Sequence, residues 1–433
     1  MFEHLFMRRA RILFLLLLGL LLASCERDGF QLDLSVGPFG DPTRKVMLLY
    51  EAGFNSLGGD IIGNLETLQE GWLPGNRRND DVLLVMSHVT RYSRNYTRET
   101  EPVLIRMYKD GDDVAVLDTL RTWPVGTSIA NAGMVTEVLE LVRELFPAAG
   151  YGAVFSSHAT GWLPEGYFNN PKRYEGNDRR PSGDYWAAPR LRTFGQEYFQ
   201  SGKMYEEIEL HDLAAAIPYR LDYILFDACL MSTVEVAWAL KDVCSYLAVS
   251  PCEIPAAGFD YSTLTKHLLQ AETPDLKAAC EDYFARYEND SVYGATISMV
   301  DCGALPELAD ACRPLFARYR SAIRNLDGSK VQTYDRKMNN KYFFAFFDLK
   351  DLLREAGASA SELASVQAAL DKVLVYEAHT SRFINLNLDR CCGLSMYLPS
   401  YPDYTKDAYH GTEFLDWFYQ ENVAWNQATS LVE

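Results

Sequence analysis

Short runs of apolar, β-prone residues recur along this chain and alternate with segments patterned for helices. Val46–Tyr50, Asp81–His88 and Val103–Tyr108 come first, followed by Gly152–Phe155, Tyr223–Phe226 and Tyr246–Val249. Before Gly152, Asn131 can cap a helix reaching Phe146. Met134, Val138, Leu141, Val142 and Leu145 share one stripe of it, and Pro147 lies just past its end. Another helix is expected from about Ser232 to Asp242. The second half continues in this style, with helices after Pro274, Pro306 and Ser361 and strands over Ala295–Val300 and Gly393–Leu398. Strands that alternate with helices predict an α/β fold, with a mostly parallel central sheet covered on both faces. Apolar residues make up 48% of the chain, enough to build a core that needs no disulfides.

Two of the strand runs end in reactive residues. Gly152–Phe155 leads into Ser156-Ser157-His158-Ala159-Thr160-Gly161-Trp162, and Tyr223–Phe226 leads into Asp227-Ala228-Cys229-Leu230-Met231. Ligands of open α/β sheets bind outside the carboxyl ends of the strands, so His158 and Cys229 are candidates for an imidazole–thiolate pair. Cys229 would attack a carbonyl and His158 would protonate the leaving amine. The backbone N–H groups of Cys229 and Ala159, with the start of the following helix, would face the oxyanion. Asp227 and Cys229 stand two apart and share a side of the strand. A carboxylate touching the thiol would oppose its ionisation, so Asp227 suits the base of a pocket for a substrate Arg or Lys. Other candidates read as structural: His88 as a satisfied histidine, Glu235 as a helix brace, Met231 as core. Ser156 and Ser157 lack the Gly-x-Ser-x-Gly elbow of a serine hydrolase.

The amino terminus sets the compartment. Arg8, Arg9 and Arg11 precede the apolar run Ile12–Leu21, which meets Leu22-Ala23-Ser24-Cys25. The run is short for a spanning helix and fits a signal peptide over residues 1–24. The residues around Cys25 resemble the lipobox of bacterial lipoproteins, which implies lipidation of Cys25 and a place in the bacterial cell envelope, on the outer membrane and open to surface exposure. Residues 25–44 read as a tether. The net charge is −18, and loss of residues 1–24, with three arginines and one glutamate, makes it more negative. Such a chain is a poor partner for nucleic acid. Eight cysteines follow Cys25 with no zinc-type spacing, and no metal site is expected.

Residues 163–203 interrupt the α/β pattern. They hold four prolines and five glycines, with Lys172, Arg173, Arg179, Arg180, Arg190, Arg192 and Lys203, between His158 and Cys229. So long a loop in a compact domain is functional or disordered.

His158-Ala-Thr-Gly-Trp162 and Asp227-Ala-Cys-Leu-Met-Ser-Thr-Val-Glu235 resemble the clostripain family of cysteine peptidases. Ser250-Pro-Cys-Glu-Ile-Pro255, Gly258-Phe-Asp-Tyr261 and Gly393-Leu-Ser-Met-Tyr-Leu-Pro399 follow in the expected order. The resemblance implies a caspase-like three-layer sandwich: a peptidase core over 45–290 that carries the basic loop, and a C-terminal α/β region over 291–433 packed on it. It also implies Cys229 as nucleophile, His158 as general acid/base and Asp227 in the pocket for a basic residue. Self-cleavage between the His and Cys strands is implied too, with Arg180 and Arg192 as candidate sites. Relatives often carry Gly directly after the histidine, where Ala159 stands here. No cofactor is required by this chemistry; calcium enters by the family resemblance alone. The chain thus reads as a lipid-anchored endopeptidase that acts on protein or peptide substrates and cleaves after Arg, with Lys the other candidate. The alternative is a catalytically silent envelope lipoprotein that binds basic peptides through the same cleft.

Overall fold

The computed structural model describes residues 44–77, 80–92, 97–163, 194–198, 205–335, 345–399 and 411–433. The expected signal peptide, Cys25, nearly all of the expected tether, and Arg180 and Arg192 with most of the basic loop lie outside the described residues.

Among the described residues the strands are β1 (Lys45–Gly53), β2 (Val82–Tyr92), β3 (Thr97–Glu99), β4 (Val103–Lys109), β5 (Ala115–Thr122), β6 (Gly150–Ser156), β7 (Phe194–Tyr198), β8 (Tyr205–Ile208), β9 (Leu221–Asp227), β10 (Cys244–Val249), β11 (Thr296–Asp301), β12 (Phe347–Asp348) and β13 (Leu374–His379), with shorter pieces after these. The central sheet runs β13-β11-β10-β9-β6-β1-β2-β4-β5, and β3 pairs with β2. Its middle, β10-β9-β6-β1-β2, is parallel, and antiparallel strands flank it on both sides. The sheet crosses the boundary expected near residue 290, because β11 and β13 extend it beside β10.

The parallel strands are buried on both faces, as their nearly unbroken apolar sequences require. In β1, Val46, Leu48 and Tyr50 join one core with the helix Ala132–Leu145. Met47 and Leu49 join a second core with the helices Tyr261–Thr265 and Leu276–Tyr287. Helices on both faces give the three expected layers. Asn131 caps its helix by accepting the Met134 N–H at 2.9 Å, as the sequence predicts.

Two expectations are corrected. Gly393–Leu398 is not a strand of the main sheet: only Ser395–Met396 is extended in a ladder, opposite β12. Its hydrogen bonds go elsewhere, the Ser395 N–H to the Ser232 carbonyl at 3.0 Å and the Tyr397 N–H to Glu235 at 2.9 Å. The helix expected from Ser232 runs from Val234 to Leu240, because Thr233 is its cap and accepts the Val236 N–H at 3.0 Å. Its N-terminus is thus capped by Thr233 and begins five residues beyond Cys229 in sequence.

Candidate active site

Strands β6 and β9 are parallel neighbours in a register that pairs Ser156 with Asp227. His158 and Cys229 each follow two residues later, so both leave the carboxyl edge of the sheet at the same level. Adjacent strands lie about 4.8 Å apart. The two loops touch just beyond. Gly161 has φ +61°, and a Cβ there would stand 2.6 Å from the Leu230 carbonyl oxygen. Only glycine admits that approach in that conformation.

The turn at Cys229 is held from several sides. Leu230 adopts φ +61°, a left-handed conformation rare for a residue with a Cβ. Its N–H donates to the Cys252 carbonyl at 3.0 Å, and its side chain is buried. Such strain persists only where the surroundings impose it. The Ile254 N–H points at Cys229 Sγ from 3.4 Å, and a donor aimed at sulfur favours the thiolate. None of the eight cysteines from Cys229 onward is in a disulfide.

His158 is half-buried. Its Nε2 lies 2.9 Å from the exposed Ser56 hydroxyl, and burial lowers the pKa of the ring from the ordinary imidazole value. It is therefore mostly neutral at pH 7 and fit to take a proton. Ala159 forms an isolated antiparallel bridge with Phe194, in which the Gly195 N–H donates to the His158 carbonyl at 3.0 Å. In that pattern the Ala159 N–H points away from Phe194, which leaves it available to an oxyanion.

Asp227 closes β9 and is only 8% exposed. The Tyr261 hydroxyl donates to it at 2.6 Å, and the Phe259 N–H donates as well. Burial pushes its carboxyl up to about 6, although these bonds and the nearby Arg286 act in the opposite sense. Gly258, at φ +59°, lies under the carboxylate, where a Cβ would come within 2.3 Å of Oδ2.

Sequence reasoning missed several residues around this cleft. Asn55 reaches from the end of β1 to the Gln196 carbonyl at 2.6 Å, fastening β7 beside the histidine loop. Glu197 of β7 is buried and meets His88 Nδ1 at 2.8 Å, the Ser128 hydroxyl at 2.8 Å and the Ile129 N–H at 2.8 Å. His88 is thus the structural histidine expected, with Glu99 3.3 Å from its other nitrogen. Glu235 braces as expected, accepting from the Tyr397 N–H and, at 2.7 Å, from the Tyr419 hydroxyl. Nothing in the local pattern around Asn55 or Glu197 announces these roles, because their partners come from distant strands.

One group of potential metal ligands occurs among the described residues: Glu209, His211 and Asp212, with ligand atoms within 4.8 Å of one another. An imidazole beside two carboxylates is a poor cage for calcium, which takes about six to eight oxygens.

The sequence profile of the clostripain family matches residues 50–430. No curated protein sequence matches the chain. Among solved structures, an inactive zymogen C11 protease from Parabacteroides distasonis superposes with a TM-score of 0.70 at 24% identity, over 90% of this chain and 99% of that one. A secreted C11 cysteine protease from Bacteroides thetaiotaomicron, in complex with an irreversible peptide inhibitor, gives 0.66 at 23% identity, over 90% and 99%. These likenesses agree with the sheet order and the paired strand ends in showing a caspase-like peptidase fold. With the profile spanning nearly the whole chain, they establish that it belongs to the clostripain family and is a cysteine protease.

Proposed function

We propose that this chain is a lipid-anchored endopeptidase of the bacterial cell envelope that cleaves after Arg, and secondarily after Lys. Cys229 attacks the scissile carbonyl, the backbone N–H groups of Cys229 and Ala159 hold the oxyanion, and His158 protonates the leaving amine. The resulting thioester is then hydrolysed by water. Asp227 receives the basic side chain. The observation that carries this reading is the Ser156–Asp227 register, which brings His158 and Cys229 abreast on loops that touch at Gly161 and Leu230. The carboxylate of Asp227 lies on the strand that delivers the nucleophile, two residues before it.

Self-activation by cleavage in the 163–203 loop, at sites such as Arg180 or Arg192, belongs to the same proposal. It is supported by the basic sequence of that loop and by the anchoring of β7 near its C-terminal end. The relative from Parabacteroides distasonis is itself described as a zymogen.

The test offers Arg- and Lys-linked fluorogenic peptides to the mature protein beside Cys229→Ala. Cleavage after Arg that vanishes in the variant supports the mechanism, and activity that survives it refutes the nucleophile. Metabolic labelling with palmitate, absent from Cys25→Ser, tests the anchor. Mass spectrometry of the active enzyme tests processing, which an intact active chain would refute.

A further inference from the structure

Four parallel strands place polar residues side by side at their carboxyl ends. The register runs from Ser87 on β2 to Glu51 on β1, to Ser156 on β6 and to Asp227 on β9. Each residue follows, two positions on, one packed in the core under the helices Tyr261–Thr265 and Leu276–Tyr287: Val85, Leu49, Val154 and Leu225. All four therefore share that face of the sheet. Glu51 is fully buried, and neither of its carboxylate oxygens has a hydrogen-bond partner of standard geometry among the described residues. Unpaired buried carboxylates are costly and rare.

Glu51 is also coupled to the pocket. Burial raises its pKa well above the ordinary glutamate value, the charge of Asp227 raises it further, and only the neighbouring Ser87 hydroxyl acts in the other direction. Tyr261, whose hydroxyl rests on Asp227, is influenced by Glu51 and Ser156 as well. From the facing helix Leu276–Tyr287, Arg286 acts on Asp227, and Tyr283 and Tyr287 feel the Asp227 charge. The strand between the two carboxylates offers only a serine, and the Tyr261 hydroxyl meets both Asp227 and that serine.

We propose that Glu51 is a second carboxylate of the basic-residue pocket and sets its preference for arginine over lysine. This rests on the reading of Asp227 given above. In the empty cleft the pair holds a proton, because two buried carboxylates resist ionising together. A substrate guanidinium has five donors in a planar fork. It engages Asp227 with one edge and turns remaining donors toward Glu51, whose ionisation it then favours. A lysine ammonium is a point charge that Asp227 alone can satisfy. Glu51 is a specificity-determining residue here and touches none of the reacting atoms.

The experiment compares wild type with Glu51→Gln, which keeps size and shape, using matched Arg and Lys fluorogenic peptides from pH 5 to 8. Labelling of Cys229 by iodoacetamide reports an intact fold and nucleophile. The variant is expected to lose about tenfold in kcat/KM toward Arg, through KM, the loss of one charge-assisted contact. The Lys substrate should change little. The wild-type KM for Arg should fall as pH rises through 6, and the variant should show a shallower dependence. An unchanged Arg-to-Lys ratio and KM profile with normal labelling would overturn the proposal. Equal losses on both substrates together with lost labelling would overturn it too, by making Glu51 a purely structural residue. Wild type that cleaves after neutral residues would instead remove the Arg-directed reading, and this inference with it.

Discussion

Asp227→Asn should make the protein more stable at pH 8 while impairing its function. The Asp227 carboxyl is raised to about 6 from an ordinary 3.8. Between those values the folded state holds a proton that the unfolded chain has released, so wild-type stability declines as pH rises through the window. At about 1.4 kcal/mol per unit, the penalty fully present above pH 6 reaches roughly 3 kcal/mol. Asparagine removes the charge and still accepts from Tyr261. Its amide nitrogen cannot accept the Phe259 N–H, a loss of about 1 kcal/mol. The net expectation is a gain of about 1–2 kcal/mol at pH 8. As pH falls to 4 and below, the unfolded carboxyl takes up its proton too, so the gain fades and the variant becomes slightly the weaker. Urea melts of both proteins at pH 8 and pH 4 measure the two differences. A variant destabilised equally at both pH values would refute the argument that a buried charge is held there against its preference. The same variant should lose its selectivity for basic substrates.

Gly161→Ala drives a Cβ toward the Leu230 carbonyl in a left-handed conformation. It should cost about 1–3 kcal/mol of stability and lower kcat at least tenfold; a variant with wild-type kcat and melting would show that the His and Cys loops can separate without consequence. Glu197→Ala leaves His88 buried without its closest carboxylate and removes the acceptor of Ser128 and Ile129. A loss of about 3 kcal/mol is expected in urea melts, and faster proteolysis near Phe194 should accompany it. Cys229→Ala should abolish hydrolysis while leaving the melting temperature within about 2 °C of wild type, since the side chain is only half-buried.

The parallel middle of the sheet was legible because its strands are buried on both faces, and such strands must be apolar throughout. Strands with one face in water were not. In β5, Asp118, Thr119 and Arg121 break the apolar run, and that edge strand went unread. For β13 the cause differs: it continues from the helix Ala360–Val373 with no glycine, proline or other breaker between them. His158, Cys229 and Asp227 stood out as candidates because each stands at the end of an apolar run, a purely local signal. Glu51, Tyr261 and Asn55 were hidden because their significance comes from register across strands far apart in sequence. Glu51 follows Tyr50 as though it merely ended β1; only the alignment with Ser156 and Asp227 reveals its company.

The anchoring of β7 has a consequence for chain continuity. The chain leaves the histidine loop at Trp162 and Leu163, both fully buried, and is back at Phe194, bridged to Ala159. The two described ends of that stretch are thus held side by side by the Ala159–Phe194 bridge. Holding so long a loop shut costs entropy that grows with the logarithm of its length, and a cut within it removes that constraint. Both new ends stay pinned, one by the packing of Trp162 against Tyr397 and Tyr419, the other by Asn55 and Glu197. Severed there, the protein becomes two polypeptides that still behave as one folded body: nicked in a denaturing gel, undivided in solution.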